Sequence, residues 1–518
     1  MAAYEIKDGV GIIPDGTTTI EDNAFEDCKE LTSIVIPDSV TVIGSYAFMD
    51  CAYLRDITWG KSVREIGTDA FENCTSLTSF VIPLSVQEIG DDILKGCTNL
   101  TSLVVAKGNA TYDSRRKCNA IIETETNTLI YGLAFSTIPS GVAVVGKKAF
   151  YECEGLTEVV IPKSVERIGV EAFRGCNKLK SVVMADGVKV LGEYAFEGCS
   201  NLESVVMSKK VEFIGRDAFG WCEALKTVVL PNSIKEMEDD IFFCCENLES
   251  ATLPKTIAKI PEGLFKGCSR LRSIAIPSSV VEIGTYAFDC CEQLADIQIP
   301  NKVVSIGEGA FDYCKSLTDI TLPADLVALG DSAFEGCSSL QTATFAGTVK
   351  KLGEEIFEEC ASLQTIYVPA KKTAYYKNRI DEQYRDIIIE TGKTLKKKIV
   401  KEEPMLLNTF ATGGGPVTVK VGDIFYSGEM YLDNDTYTAH FRFFTSSAYK
   451  VSAVYTNYIE IEYDHPDKPL LKLYPNAENE YFTMLPPLKF NKQWKYDPYY
   501  PQYYILDDAE HSEDISSC

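Results

Sequence analysis

The chain has 518 residues, 45% of them hydrophobic and 24% charged, with 50 basic against 75 acidic side chains and a net charge of −25. That length exceeds what one compact core supports, so a repeat array or two to three domains is expected. The acidic balance excludes a nucleic-acid surface, which needs clustered Lys and Arg against phosphate, and disfavours unaided adsorption to anionic membranes.

The opening residues, MAAYEIKDGVGIIPDG, carry one Lys and no apolar run of signal-peptide length. No stretch approaches the roughly 18 apolar residues of a membrane span. As numbered the chain reads as cytoplasmic, or as secreted or cell-surface if a signal was removed.

From Cys28 onward a Cys recurs every 23 residues: Cys28, Cys51, Cys74, Cys97, then Cys153 and each twenty-third position to Cys360. Aligned on it, the units read I-P-x-S-V-x-x-I-G-x-x-A-F-x-x-C-x-x-L-x-x-I-x, as in IPKSVERIGVEAFRGCNKLKSVVM (161–184). Such a period means a solenoid. The L-x-x-I-x-I portion alternates as a short strand does, and the following Pro ends the ladder because it has no N–H. The G-x-x-A-F-x-x-C portion has helical spacing, enough for a turn or two. Each unit is too small to bury its own apolar side, so neighbours must stack. The expected fold is therefore an α/β leucine-rich-repeat solenoid of about 15 rungs by this count, with a β-rich C-terminal domain. The lattice Cys reads as a small buried hydrophobe. Stacked Cys lie near disulfide distance, but fourteen buried thiols suit a reducing compartment better.

Between Cys97 and Cys153 the rhythm breaks at YDSRRKCNAIIETETNTLIYG (112–132). NAII and TLIY are apolar runs joined by ETETN, a β-hairpin with a five-residue connection, so the break is a variant rung. Arg115, Arg116 and Lys117 beside Asp113 form either a ligand-facing spot or a solvated loop.

The run IPxSVxxIGxxAFxxCxxLxxI resembles the BspA-like leucine-rich repeats over about residues 5–390. The segment 112–132 is similar to a variant insert in Bacteroidetes members, and IYVPAKKTAYYKNRIDEQYRDIII (366–389) looks like the family's helical C-terminal cap from about 370, with Tyr384 where a Trp is often found. The resemblance implies a surface adhesin that binds host matrix or other cells.

Residues 391–403 read as a charged linker. In 404–518, 14 of the 27 Tyr raise the aromatic total to 22, and VTVKVGDIFY (417–426), TAHFRFF (438–444) and YIEIEY (458–463) alternate as half-buried strands. A Tyr-rich antiparallel β domain with an acidic tail is expected there.

Motifs for chemistry are sparse. All three His (His440, His465, His511) fall in that last segment, and H-E-x-x-H, G-x-S-x-G, Walker and G-x-G-x-x-G patterns are absent. Gly413–Gly415 lacks the Lys-Ser/Thr of a phosphate loop, Asp464 beside His465 is a weak dyad, and Cys118 and Cys518 are thiols for which exposure is expected but no activating His lies near. No C-x₂-C pair offers zinc ligands. Neither catalysis, a cofactor nor a metal is expected.

Within L-x-x-I-x-I the Leu and both Ile face the core, so the residues flanking the central Ile point outward. In the middle of the array these are Ser181, Ser204 and Thr227 on one side and Val160, Val183, Val206 and Val229 on the other. Four outward Val walled by Ser and Thr make an exposed apolar stripe, the expected contact site on the concave strand face. The functional expectation is a non-enzymatic interaction or adhesion protein for a protein or glycan partner, without nucleic acid or membrane insertion. The alternatives are a solenoid that targets an activity in the C-terminal domain, or an intracellular scaffold.

Overall fold

The computed structural model describes residues 4–391 and, between 405 and 506, the backbone of nine strands. Contacts divide the chain into two units, Met1–Leu395 and Lys396–Cys518.

The first unit is a β-solenoid of about 17 turns. That is more than the fifteen or so read from I-P positions. The variant rung stacks into the array, and Ile388–Glu390 pairs in parallel with Thr365–Val368 after the last Pro.

The L-x-x-I-x-I segments form the expected first line of parallel strands, for example Glu158–Ile161, Ser181–Met184 and Ser204–Val206 in register. A second line was not expected. Two-residue strands at V-x-x-I-G, such as Arg167–Ile168, Val190–Leu191 and Phe213–Ile214, stack in parallel on another face. The α/β expectation is thereby corrected: each turn of the array is strand and turn, and the G-x-x-A-F-x-x-C portion is not helical. In the arc 192–199, Tyr194, Phe196 and Gly198 donate their N–H to Arg216, Ala218 and Gly220 of the next turn at 2.8–2.9 Å, while Glu197 and Cys199 donate back three residues at 3.2 Å. A helix would spend every N–H on itself. The alternation needs left-handed backbone at two positions per arc, here Tyr194 at φ 57° and Gly198 at φ 70°.

The arcs carry the core. Ala195, Phe196 and Cys199 are fully buried, as are most of their counterparts along the array; Ala24, Cys28 and Cys153 are half-buried. Phe rings stack from Phe150 through Phe173, Phe196 and onward to Phe357, with centroids 5.0–5.9 Å apart. Twelve of the fourteen lattice Cys donate Sγ–H to the Phe carbonyl of the preceding turn, as Cys199 does to Phe173 at 3.2 Å. The two that do not, Cys28 and Cys153, are the first in each run and have no regular turn before them. The Cys is thus a small apolar side chain that also supplies a weak donor.

Both ends continue this pattern with Tyr. Tyr4 stacks on Phe25 at 5.0 Å. At the other end lie a short helix, Thr373–Lys377, and a 3₁₀ segment, Glu382–Ile387. There the Tyr384 hydroxyl donates to the Phe357 carbonyl at 2.8 Å, the place a next Cys thiol would take.

The arcs also carry a cost. The Asp312 carboxyl is pushed up to about 7 by burial and by Asp289 and Glu335, and its Oδ1 is buried without a hydrogen-bond partner among the described residues. A raised folded value means the folded chain holds this proton more tightly than the unfolded chain, whose Asp titrates near ~4. That stability is present below ~4 and lost as pH rises towards 7. We expect Asp312→Asn to raise the melting temperature at neutral and higher pH and to flatten its fall between ~4 and 7. A variant whose pH profile is unchanged refutes the assignment.

In the second unit, strands Ile424–Asp433, Thr438–Val454, Ile459–Tyr463, Leu470–Pro475 and Phe482–Leu485 pair antiparallel in chain order. All but the first residue of the 391–403 linker, along with Gly413–Gly415, Asp464, His465, His511 and the acidic tail with Cys518, lie outside the described residues, as does the side chain of His440.

Candidate functional site

The outward positions of the first strand line are set by alternation: Val159 and Ile161 are buried while Val160 between them is 64% exposed. Val183, Val206 and Val229 are exposed at 41%, 57% and 65%. Val160 pairs in register with Val183 and Val183 with Val206, which places these three side by side on one sheet. Val229 belongs to the next strand pair, where it is opposite Thr252. Ser181 is half-buried and lies opposite Ser204 in register; Ser204 and Thr227 are exposed.

The same column continues on the N-terminal side of the variant rung, which the sequence reading did not follow. Ile12, Val35, Val81 and Val104 are exposed, with Ile12 opposite Val35 and Val81 opposite Val104. The signal was present for Val35, Val81 and Val104, which occupy the same offset in L-x-x-I-x-I or its apolar variants, but not for Ile12 in DGVGII. Phe135, in the variant rung, is 71% exposed; nothing in the repeat pattern marked it.

The second strand line has a different character. Its outward column runs Glu166, Lys189, Glu212, Lys235, with Nζ to carboxylate distances of 2.9 Å for Lys189–Glu166 and 2.7 Å for Lys235–Glu212. The paired charges solvate this stretch, beside which the first face presents hydrocarbon; further along, the same column turns to exposed Val281, Val304 and Val327.

Arg115 and Arg116 are both engaged within the protein. Arg115 makes a forked contact with Asp113 at 2.7–3.0 Å and reaches Asn127 in the hairpin turn at 2.8 Å, while Arg116 donates to Ser140 beyond the hairpin. The hairpin itself is Ala120–Glu123 against Thr128–Gly132, antiparallel, with a four-residue connection in place of the five expected. Cys118 is buried rather than exposed, and burial pushes its thiol up. Burial likewise raises Cys74, Cys176, Cys199 and Cys222. A thiolate is the reactive form. Among the described residues, we therefore expect native protein to react with an aromatic disulfide reagent slowly and only at the half-buried Cys28, Cys153, Cys244 and Cys290, with the buried thiols titrating after unfolding. Rapid labelling of Cys199 in native protein contradicts this packing.

The variant rung divides the core into two clusters, one ending near Leu133 and one beginning at Cys118. A cleft of about 230 Å³ lies on this seam, between the arcs 91–93 and 146–148. Lys147 and Asp91 (3.6 Å) and Lys148 and Asp92 (3.0 Å) bridge it.

With this geometry in hand, comparison with known proteins is direct. The model of the BspA type leucine rich repeat region matches residues 11–119, 143–272 and 258–382, in six copies. The chain belongs to this family. A leucine-rich repeat protein from Bacteroides ovatus ATCC 8483 is 27% identical over 74% of this chain and 94% of its own, with a TM-score of 0.53. A leucine rich cell surface protein from Faecalibacterium prausnitzii A2-165 is also 27% identical, covering 50% of this chain and 76% of its own at a TM-score of 0.34. A leucine-rich repeat protein of T. pallidum is 32% identical over 36% of this chain and 87% of its own, at a TM-score of 0.30. No functionally curated protein matches the chain.

Proposed function

We propose that this BspA-type solenoid is a non-enzymatic interaction protein that holds a partner on the exposed face of its first strand line, in the manner of an adhesin. One observation carries the reading: Val160, Val183, Val206 and Val229 are all more than two-fifths exposed on successive turns. Isolated exposed Val needs no explanation, but a column of them is an apolar surface that water solvates poorly. The second face has a shorter Val column, Val281, Val304 and Val327, at 38–40%, less exposed than Val160, Val206 and Val229. Phe135 is the aromatic anchor on the variant rung, the side-chain type that most often carries binding energy. A protein partner with an extended apolar segment fits such a stripe best.

We favour a reducing compartment as the location. Twelve thiols used as Sγ–H donors require reduced Cys, which favours a reducing compartment; cell-surface display is the competing location, and extensive native disulfides would support it.

The test is a pull-down from source-organism and host-cell extracts. The baits are residues 1–392, the same fragment with Val160, Val183, Val206 and Val229 changed to Glu, and residues 404–518. We expect the first to retain a partner that the second loses, with Val206→Glu alone changing stability by only about 0.5 kcal/mol. Retention by the Glu variant sinks the proposal, and enrichment only on 404–518 moves function to the second unit.

A further inference from the structure

The seam cleft lies where the stacking rule of the solenoid is suspended inside the array. In every arc from Asn23 to Gly336 but one, three alternate N–H groups donate to the following turn. The exception is the arc at Asp92, Leu94 and Gly96, whose N–H groups have no backbone acceptor among the described residues. Leu94 also stands where other arcs place Phe, so the ring stack stops at Phe71 and resumes at Phe150. Ile89 shows the consequence. Its counterparts Ile43, Ile66, Ile168 and Ile214 are fully buried and Met237 and Leu352 are half-buried, while Ile89 is half-exposed to the cleft.

The hairpin does not fill this gap; it furnishes it. Register between its strands shifts after Ile121, which pairs with Tyr131, whereas Ile122 pairs with Leu129, so Ile130 is the extra residue of a β-bulge. A bulge breaks the two-residue alternation and re-aims side chains. Ile130 and Tyr131, which regular pairing would send to opposite faces, both line the cleft with Thr128. The Tyr131 ring is enclosed by protein yet half-exposed to the cleft, and its hydroxyl makes no hydrogen bond among the described residues. Along the rim stand two Lys–Asp pairs side by side, Lys147–Asp91 and Lys148–Asp92.

We propose that this cleft is a binding site for a neutral sugar ring, the terminal residue of a glycan. An ammonium and a carboxylate about 3 Å apart offer a donor beside an acceptor, the spacing of two vicinal hydroxyls, one accepting from Lys148 and one donating to Asp92. Two such pairs address a ring from one side. The Tyr131 face and the Ile89 and Ile130 side chains cover its apolar C–H side, as aromatic rings with a polar tip do. The volume suits one ring: a cavity of 150 Å³ holds benzene. An anionic sugar gains nothing, because each Lys already has its Asp. The site is separate from the Val stripe, and its occupation does not depend on that stripe binding anything.

The experiment is saturation-transfer NMR on the full chain with millimolar glucose, galactose, mannose, N-acetylglucosamine and sialic acid, followed by a glycan array. At least one neutral sugar is expected to show transfer, concentrated on its ring protons, with sialic acid silent. Asp92→Asn with Lys148→Met, and separately Tyr131→Phe, are expected to weaken binding at least roughly tenfold, about 1.4 kcal/mol. Asp91→Asn with Lys147→Met, on the more exposed rim, leaves the fold intact and serves if the inner variants do not fold. Absence of transfer from every neutral sugar overturns the proposal. Transfer that survives all three variants places the sugar elsewhere and equally overturns it.

Discussion

Replacing Phe196 by Ala is expected to destabilise the solenoid by about 3–5 kcal/mol, the range for truncating a buried aromatic side chain. Phe196 is fully buried and stacked between Phe173 and Phe219, with centroids 5.0 and 5.3 Å away and ring planes within 4° of parallel. The cavity has no means of collapsing, because its floor and ceiling are rings held by their own arcs. The loss is also shared, since each turn contacts only its neighbours and their stability depends on the interface. Urea unfolding of the isolated solenoid reads the result. A loss below about 1 kcal/mol would mean that adjacent rings close the gap, and the rigid stacking described for the arcs would be wrong.

The second large effect comes from the Gly of I-G. A Cβ built on Gly192 stands 2.6 Å from the carbonyl carbon of Gly169 and 2.7 Å from the N of Val170, both backbone atoms of the preceding turn. Gly67 and Gly215 meet the previous turn at 2.5 Å in the same way. Here Gly is required by close approach and not by a left-handed conformation. Gly192→Ala must push two turns apart, and overpacking of this kind costs about 1–3 kcal/mol. Thermal unfolding of the variant checks it. A neutral Gly192→Ala would show that the turns stack less tightly than these distances say. Gly198, by contrast, has a φ of 70° and only distant neighbours at 3.7 Å, so Ala there is strained by conformation alone.

How much of this was legible in the sequence depends on the range of the interaction. The first strand line was legible in L-x-x-I-x-I, because alternation of core and solvent faces is a property of one strand. The second strand line was not. Two residues such as Arg167–Ile168 carry no alternation to read and are strands only by their bonds to Val144–Val145 and Val190–Leu191. The arcs misled, since A-F-x-x-C has helical spacing. A signal against helix was nonetheless available: the residue before the lattice Cys is Asp, Asn or Gly in Asp27, Asp50, Asn73, Gly96, Gly175 and Gly198, all with positive φ, and these are the residues that tolerate that conformation. Cys244 and Cys290, off the lattice by one, occupy the same left-handed position, at φ 53° and 58°.

The sequence by itself determined the repeat, the family, the buried Leu, Phe and Cys, and the outward direction of Val160, Val183, Val206 and Val229, because a 23-residue period with a fixed apolar pattern admits one way of stacking. Only the tertiary structure decided that the arcs are ribbons of turns, that the Cys thiols donate to Phe carbonyls one turn back, and that the break at 112–132 leaves a lined cleft. These depend on bonds between residues 22 to 26 positions apart and on a bulge at Ile130, and a bond between turns has no signature within either turn alone.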